Sequence, residues 1–403
     1  MSINNPLQRK IAVVTGTRAE YGLLKGLLDE IKLDSNLQLQ LIVTAMHLSP
    51  EFGLTYQLIE QDGFKIDAKV EMLLSSDTNG GIAKSVAVGV FGFTDAFERL
   101  NPDMIVILGD RFEAFSAAQA ALFLKIPIAH IHGGELSFGA IDEQIRHCIT
   151  KMAHLHFTAA DSYRQRVIQL GEQPEFVFNT GSPGIERLKK AVYLNQDQLE
   201  KSLSIQFKNT TFLVNYHPAA LELNTLKQDI ESLFLALDLF PDAQILMTKS
   251  NADASGRLFN QLIDQYTEKQ NGRVKVFMNL GEQYYPSVMR LVDVMIGNSS
   301  SGIIEAPSLS IPTVNIGSRQ DGRLRAASVI DCDHHAESIQ VAIKKALSPE
   351  FRDIVKSTVS PYDCDETAFR IKEILKKIAL KSLSKKIFCD AEVHEKPTCN
   401  HHC

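Results

Sequence analysis

Leu291–Leu309 reads LVDVMIGNSSSGIIEAPSL. An apolar run ends at Gly297, small residues follow to Gly302, and an apolar stretch that can begin a helix comes next. Strand, tight turn and helix in that order make half of a βαβ unit, and the same succession recurs along the chain. KIAVVTG precedes EYGLLKGLLDEIK, LQLIVTA precedes PEFGLTYQLIEQDG, and DMIVILGD precedes RFEAFSAAQAALFLK. Nearly continuous hydrophobic strands belong to a parallel sheet covered on both faces, and such sheets take their ligands at the carboxyl ends of the strands. The rhythm pauses at 186–209, ERLKKAVYLNQDQLEKSLSIQFKN, and restarts with TFLVNY, AQILMT, RVKVFM, DVMIGN and IPTVNI. The expected fold is α/β, two doubly wound domains facing each other across a cleft. Their expected bounds are 1–186 and 187–360, with a helix at 361–380 packing back on the first domain and a disordered tail at 381–403.

A chain of 403 residues, 44% of them hydrophobic, exceeds the usual size of one compact domain. Lys and Arg number 42 against 48 Asp and Glu, so the net charge of -6 gives no reason to expect a nucleic acid or an anionic membrane as partner. The first ten residues are polar and no apolar run approaches a membrane span, so the chain reads as cytoplasmic. Cys148, Cys332 and Cys364 lie far apart, which fits that compartment. Cys389, His394, Cys399, His401, His402 and Cys403 are potential metal ligands, but the paired Cys-x-x-Cys spacing is absent. A disordered tail is the better reading, and no metal is expected.

The turn after Ile296 can hold an anion. Backbone N–H groups at a helix start are unpaired, the helix dipole favours negative charge, and Ser299 and Ser300 permit close approach. Glu305 cannot bind phosphate, but it can accept hydrogen bonds from a ribose diol, which points to a nucleoside diphosphate. An ordinary capped helix with a surface glutamate is the competing reading. Arg18, in GTRAEYG after strand IAVVT, suits phosphate oxygens through its planar guanidinium. Neither G-x-G-x-x-G nor G-x-x-x-x-G-K-[ST] occurs there, so NAD and ATP hydrolysis lose support and no cofactor is expected.

Ionisable residues cluster at three further places: Gly109-Asp110-Arg111, His130-Ile131-His132-Gly133-Gly134-Glu135, and Asp142-Glu143-Gln144-Ile145-Arg146-His147. Carboxylates beside histidines and arginines suit general acid–base work, because proximity separates their pKa values. Asp142 with Arg146, and Glu143 with His147, share helical faces, and each pair alone reads as a surface salt bridge. Three such groups at consecutive strand ends point to chemistry. FLVNYHP puts His217 at another strand end, and NIGSRQDGRLRAASVI supplies Arg319, Arg323 and Arg325, of which at least one is a candidate for phosphate.

With TGTRAEYG, VTAMH, GDRFE, HIHGGE, IDEQIRH, TKMAHLHFTA, TGSPG, HP and GNSSSGIIEAPSLSIPTVNIGSRQ, nearly the whole chain before the tail resembles the hydrolysing UDP-N-acetylglucosamine 2-epimerases. The resemblance implies two Rossmann-like domains of GT-B type, with UDP held mainly by the second and the sugar facing the first. It makes Arg18, Arg111, Gly181, His217, Ser299, Ser300, Glu305 and Arg319 candidates for the UDP site, with Arg146 and His147 also on the substrate. Asp110 and Asp142 match catalytic carboxylates, and His217 is a further catalytic candidate. Where many relatives have HIEGGE this chain has HIHGGE, so either His132 or Glu135 takes the C2 proton transfer. The implied reaction expels UDP from C1 with loss of the C2 proton, giving 2-acetamidoglucal. Water then adds at C1 as a proton returns to the other face of C2, releasing N-acetylmannosamine for sialic-acid synthesis. UDP-N,N'-diacetylbacillosamine is the alternative substrate, and the non-hydrolysing epimerase is a further alternative. The partner implied is a UDP-sugar and the assembly a homodimer or higher homo-oligomer.

Overall fold

The structure is a computed structural model that describes residues 8–74, 76, 78–138, 141–217, 226–249, 254–278, 280–383 and 385–390. They divide into two units: the chain up to Glu135, Ala140–Pro183 and Cys364 onward make the first, and Leu136–Gly139 with Gly184–Asp363 make the second.

The first unit is built on β1 (Arg9–Thr15), β2 (Leu37–Thr44), β3 (Ile66–Val70), β4 (Met104–Leu108), β5 (Ile128–Ile131), β6 (Leu155–Thr158) and β7 (Val177–Asn179). These lie parallel in the order β3-β2-β1-β4-β5-β6-β7. The centre is β1, where Val13 stands opposite Leu41 of β2 and Val106 of β4. Its side chains alternate between two cores. Ile11 and Val13 join Leu24, Leu27, Leu28 and Ile31 of helix Arg18–Leu33, while Ala12 and Val14 join Ala117, Ala118 and Ala121 of helix Phe112–Phe123. A strand buried on both faces needs apolar residues at every position, which is why its sequence is continuous rather than alternating.

The second unit repeats the plan with β8 (Thr211–Asn215), β9 (Gln244–Thr248), β10 (Val274–Phe277), β11 (Val294–Gly297), β12 (Thr313–Ile316) and β13 (Val329–Cys332), parallel in the order β10-β9-β8-β11-β12-β13. Phe212 and Val214 face one core, and Leu213 faces the other with Leu246 and Met295. Gly297 closes β11 at φ +137°, and a Cβ there would collide with the Asn215 carbonyl, so only glycine lets the two strand ends meet this closely.

From Cys364 the chain is again part of the first unit. Helix Thr367–Lys377 buries Ala368, Ile371 and Leu375 in the core that holds helix Arg18–Leu33, and Lys376 reaches Asp34 at 2.8 Å. The segment 385–390, expected to be disordered, instead lies against this unit: the Cys389 N–H donates to the Gly171 carbonyl at 2.9 Å. Two features the composition hides explain the correction: Gly171 has no side chain to obstruct the Phe388 ring, and Lys386 finds acidic and carbonyl partners. His394, Cys399, His401, His402 and Cys403 lie outside the described residues. Among the described residues no helix is long and apolar enough to cross a membrane, and no group of three or more His, Cys, Asp or Glu is placed to hold a metal.

Candidate active site

Each sheet reverses its strand order once, between β1 and β4 and between β8 and β11, and the carboxyl ends at such a reversal are where doubly wound sheets take ligands. In the first unit Thr17 caps helix Arg18–Leu33 by accepting the Glu20 N–H at 3.2 Å, and the Glu20 carboxylate accepts the Gly16 N–H at 2.6 Å. Beside it the buried Glu113 carboxylate accepts the Arg111 Nε–H at 2.5 Å. Burial, reinforced by the charge of Glu113, pushes Glu20 up to about 8. Burial opposes the Arg111 charge, but Glu113, Glu20 and Asp142 together raise its pKa.

A second network lies along helix Ile141–Met152. Arg146, 2% exposed, donates to Asp110 Oδ2 from one guanidinium nitrogen and to the Glu135 carbonyl at 2.9 Å from the other. Glu135 in turn holds a carboxylate oxygen 2.5 Å from His132 Nδ1. A carboxylate accepts, so Nδ1 carries the hydrogen, and in the neutral ring Nε2 has the lone pair. That Nε2 is buried and has no partner among the described residues. His132 has a left-handed backbone, φ +67°, a conformation that costs a non-glycine residue about 1–3 kcal/mol and is kept only where the surroundings demand it. His130 is a strut: its Nε2 meets the Gly109 carbonyl at 2.7 Å, its Nδ1 meets the Thr150 hydroxyl at 3.2 Å, and burial lowers it to about 3.

Helical spacing therefore misleads about Arg146. It is not half of a surface pair with Asp142: its side chain is buried and turns to Asp110, an acceptor that only the folded sheet brings near. Glu143 and His147 do meet, at 3.7 Å, and burial lowers the His147 pKa. Asp142 stands in the first turn of the same helix, and Arg18 is exposed as the first residue of its own.

The second unit answers with amides and hydroxyls. Asn298 accepts the His217 N–H at 2.7 Å and donates to the His217 carbonyl at 2.8 Å, while its own carbonyl accepts from Arg319 at 2.9 Å and Gln320 at 2.8 Å. One side chain and one peptide group thus join the loops after β8, β11 and β12. Ser299 caps the following helix by accepting the Ser301 N–H at 3.3 Å. This helix is shorter than its sequence suggests: it spans Ser300–Ile304, Glu305 is its C-cap, and Ala306–Leu309 is a 3₁₀ turn. Pro307 disfavours α geometry at the residue before it and has no N–H to continue the ladder. Burial raises Glu305, against a Ser301 hydrogen bond and the charge of Arg187. Burial and then Glu305 push Tyr285 up to about 12, and its hydroxyl accepts from Asn215 Nδ2 at 3.0 Å. Arg325 is taken up by Asp331, at 2.9 and 3.0 Å, and serves the loop.

The sequence model of the UDP-N-acetylglucosamine 2-epimerase family matches residues 29–376. The chain belongs to that family. A Campylobacter jejuni protein, GDP/UDP-N,N'-diacetylbacillosamine 2-epimerase (hydrolyzing), is 45% identical over 345 residues, which span 86% of this chain and 89% of that one. The Legionella pneumophila UDP-N,N'-diacetylbacillosamine 2-epimerase (hydrolyzing) is 35% identical over 374 residues, 93% of this chain and 97% of its own. Among solved structures, the UDP-GlcNAc 2-epimerase of Neisseria meningitidis bound to UDP-GlcNAc superposes with a TM-score of 0.72 at 18% identity, covering 92% of this chain and 100% of that one. That likeness shows the fold, α/β of the GT-B-like class.

Of the residues singled out in this epimerase-family chain, the first unit gathers Asp110, Arg111, His132, Glu135, Arg146 and His147 around the ends of β4 and β5, and the second gathers His217, Ser299, Ser300 and Arg319. Gly181 joins neither group. It follows edge strand β7, at φ +78°, against Cys364. Glu20, Glu113, Asn298 and Tyr285 escape sequence reading. A Thr-x-x-Glu capping spacing marks Glu20, whereas Tyr285, inside helix Gly281–Leu291, carries no signal.

Proposed function

We propose that this chain hydrolyses a nucleoside-diphosphate sugar and inverts its C2 centre, with N,N'-diacetylbacillosamine as the sugar and UDP or GDP as the nucleotide. The observation that carries the reading is 45% identity, over 86% of this chain and 89% of the Campylobacter jejuni protein, to a hydrolysing enzyme of that name. The Legionella pneumophila protein supports it at 35%. UDP-N-acetylglucosamine, which the family resemblance suggests first, becomes the second reading and keeps the support of the family description.

The reaction is redox-neutral. A C2–H beside an acetamido group is barely acidic, so the C1–O bond breaks ahead of proton removal and stabilising the departing diphosphate matters most. In the second unit, Ser299, Ser300, His217 and Arg319 stabilise the diphosphate and Glu305 accepts from the ribose. In the first unit, His132 Nε2 takes the C2 proton while Glu135 fixes the tautomer at Nδ1. Asp110 and Asp142 orient the water that adds to C1, accept its proton and pass that proton to the opposite face of C2, while the proton held by His132 Nε2 leaves to solvent. One water is consumed, and the diphosphate and the C2-epimeric free sugar leave. The buried, partnerless His132 Nε2 supports this division between His132 and Glu135.

Proton and phosphorus NMR in D2O tests it, with the UDP and GDP forms of N,N'-diacetylbacillosamine and with UDP-N-acetylglucosamine in separate tubes. Free nucleotide and an epimeric sugar with deuterium at C2 are expected from a bacillosamine nucleotide. Turnover of UDP-N-acetylglucosamine alone would install the second reading, and an intact epimerised nucleotide sugar would remove hydrolysis.

A further inference from the structure

The helix that carries Asp142, Arg146 and His147 is gripped at its other end by the C-terminal segment. Lys386, whose side chain is 27% exposed, directs its ammonium at the terminal carbonyls of helix Ile141–Met152: Lys151 at 2.6 Å, Thr150 at 3.4 Å, and Ala153. The same nitrogen is 2.8 Å from Glu172, which also takes Lys151 at 2.6 Å and the buried His156 of β6 at 3.0 Å. A cation at a helix C-terminus meets the negative end of the dipole and supplies donors to carbonyls that lack intrahelical partners. Phe388 anchors the segment over Gly171 and under Lys151, whose ammonium is 4.9 Å from the ring centre.

This grip connects to the site through a short chain of bonds. Thr150, whose carbonyl faces Lys386, holds His130 through its hydroxyl, and His130 holds the Gly109 carbonyl next to Asp110. We propose that Lys386 is a positioning residue: by clamping the end of helix Ile141–Met152 it sets where Arg146 and Asp142 stand at the strand ends. A segment without structure would be dispensable; segment 385–390 is required for full turnover. The inference rests on the function proposed above.

The test uses the full chain with Lys386→Met, Lys386→Arg and, as control, Lys385→Ala. Lys386→Met is expected to lower kcat about tenfold with KM changed less than about twofold, Lys386→Arg to restore most of the loss, and Lys385→Ala to match the parent. Amide hydrogen exchange is read on the same proteins, and faster exchange across 141–153 in Lys386→Met, with β4 unchanged, is expected. A lowered melting temperature with unchanged kcat would make Lys386 merely structural and overturn the proposal, as would unchanged kcat and unchanged exchange. If the parent protein turns over none of the three nucleotide sugars, the proposed function fails by itself, and the exchange data alone decide the clamp.

Discussion

The two strand-order reversals share a topology and differ in chemistry. At the ends of β1 and β4 the first unit sets carboxylates against guanidiniums: Glu113 and Glu20 lie with Arg111 in one network, and Asp110 holds Arg146 in a second. At the ends of β8 and β11 the second unit relies on Asn215, Asn298, Ser299, Ser301 and Tyr285, with Arg319 bonded to a carbonyl instead of a carboxylate. Buried opposite charges shift pKa values and hold proton-transferring groups in place, whereas neutral donors around an arginine leave its charge for an anion. On the function proposed above, sheet topology selects the place, and the composition of the loops selects between moving protons and holding phosphate.

The contrast is broken most directly at Arg146. Arg146→Met takes from Asp110 the cation it is paired with and from the Glu135 carbonyl the Arg146 donor, so stability should fall by about 3–5 kcal/mol in denaturant unfolding. In whatever folds, kcat should drop by at least about a hundredfold because the carboxylates lose their placement. UDP affinity, by calorimetry, should change little. An equal loss of UDP binding would mean that the charged network also serves the nucleotide and that the division between the units is false.

Asn298→Ala attacks the other side. The His217 N–H and carbonyl lose their side-chain partners, a cost of about 1–3 kcal/mol, and the loops after β8 and β11 are no longer joined by that side chain. UDP should bind roughly tenfold more weakly, about 1.4 kcal/mol, with a smaller effect on the chemical step. A variant that binds UDP like the parent but turns over slowly would reverse the assignment.

Sequence reading found most of the strands that are buried on both faces and, of the four edge strands, only β10, in RVKVFM. IAVV, IVIL, FLVN and VMIG announce themselves because both faces of the sheet demand apolar residues. IDAKV, VFN and VIDC form β3, β7 and β13, all at sheet edges where burial is partial, and no continuous apolar run marks them. The same limit applied to the site. Strand-end Asp110, His132 and Glu135 were legible, since position in a βαβ unit fixes where a residue lands. The choice of Asp110 over Asp142 by Arg146 was not, because it depends on how helix Ile141–Met152 is set against the sheet, as well as on spacing within the helix. Asn298 lies inside the serine turn with no signal of its own, because the loops it joins are far apart in sequence and adjacent only once β8 and β11 pair.

Glu20 gives the smallest and cleanest effect per step of the variable, because pH can be scanned on one protein. Its folded pKa of about 8 lies above its ordinary value of 4.5, so between those values the native state binds more protons than the unfolded chain. Stability from this group is complete below about pH 4.5 and drains away as pH rises towards 8, by at most about 1.4 kcal/mol per pH unit. His47 and His130, lowered by burial to about 4 and about 3, act in the opposite sense: native protons are fewer than unfolded ones below about 6.5, so stability is lost as pH falls. Glu20→Gln removes the first dependence and leaves the second. The difference between parent and variant unfolding free energies, measured from pH 5 to 8, should therefore shift steadily in the variant's favour as pH rises. A flat difference would mean that Glu20 is ionised when folded, with Arg111 balancing both carboxylates, and the first unit's network would then carry one more negative charge than the contrast with the second unit assumes.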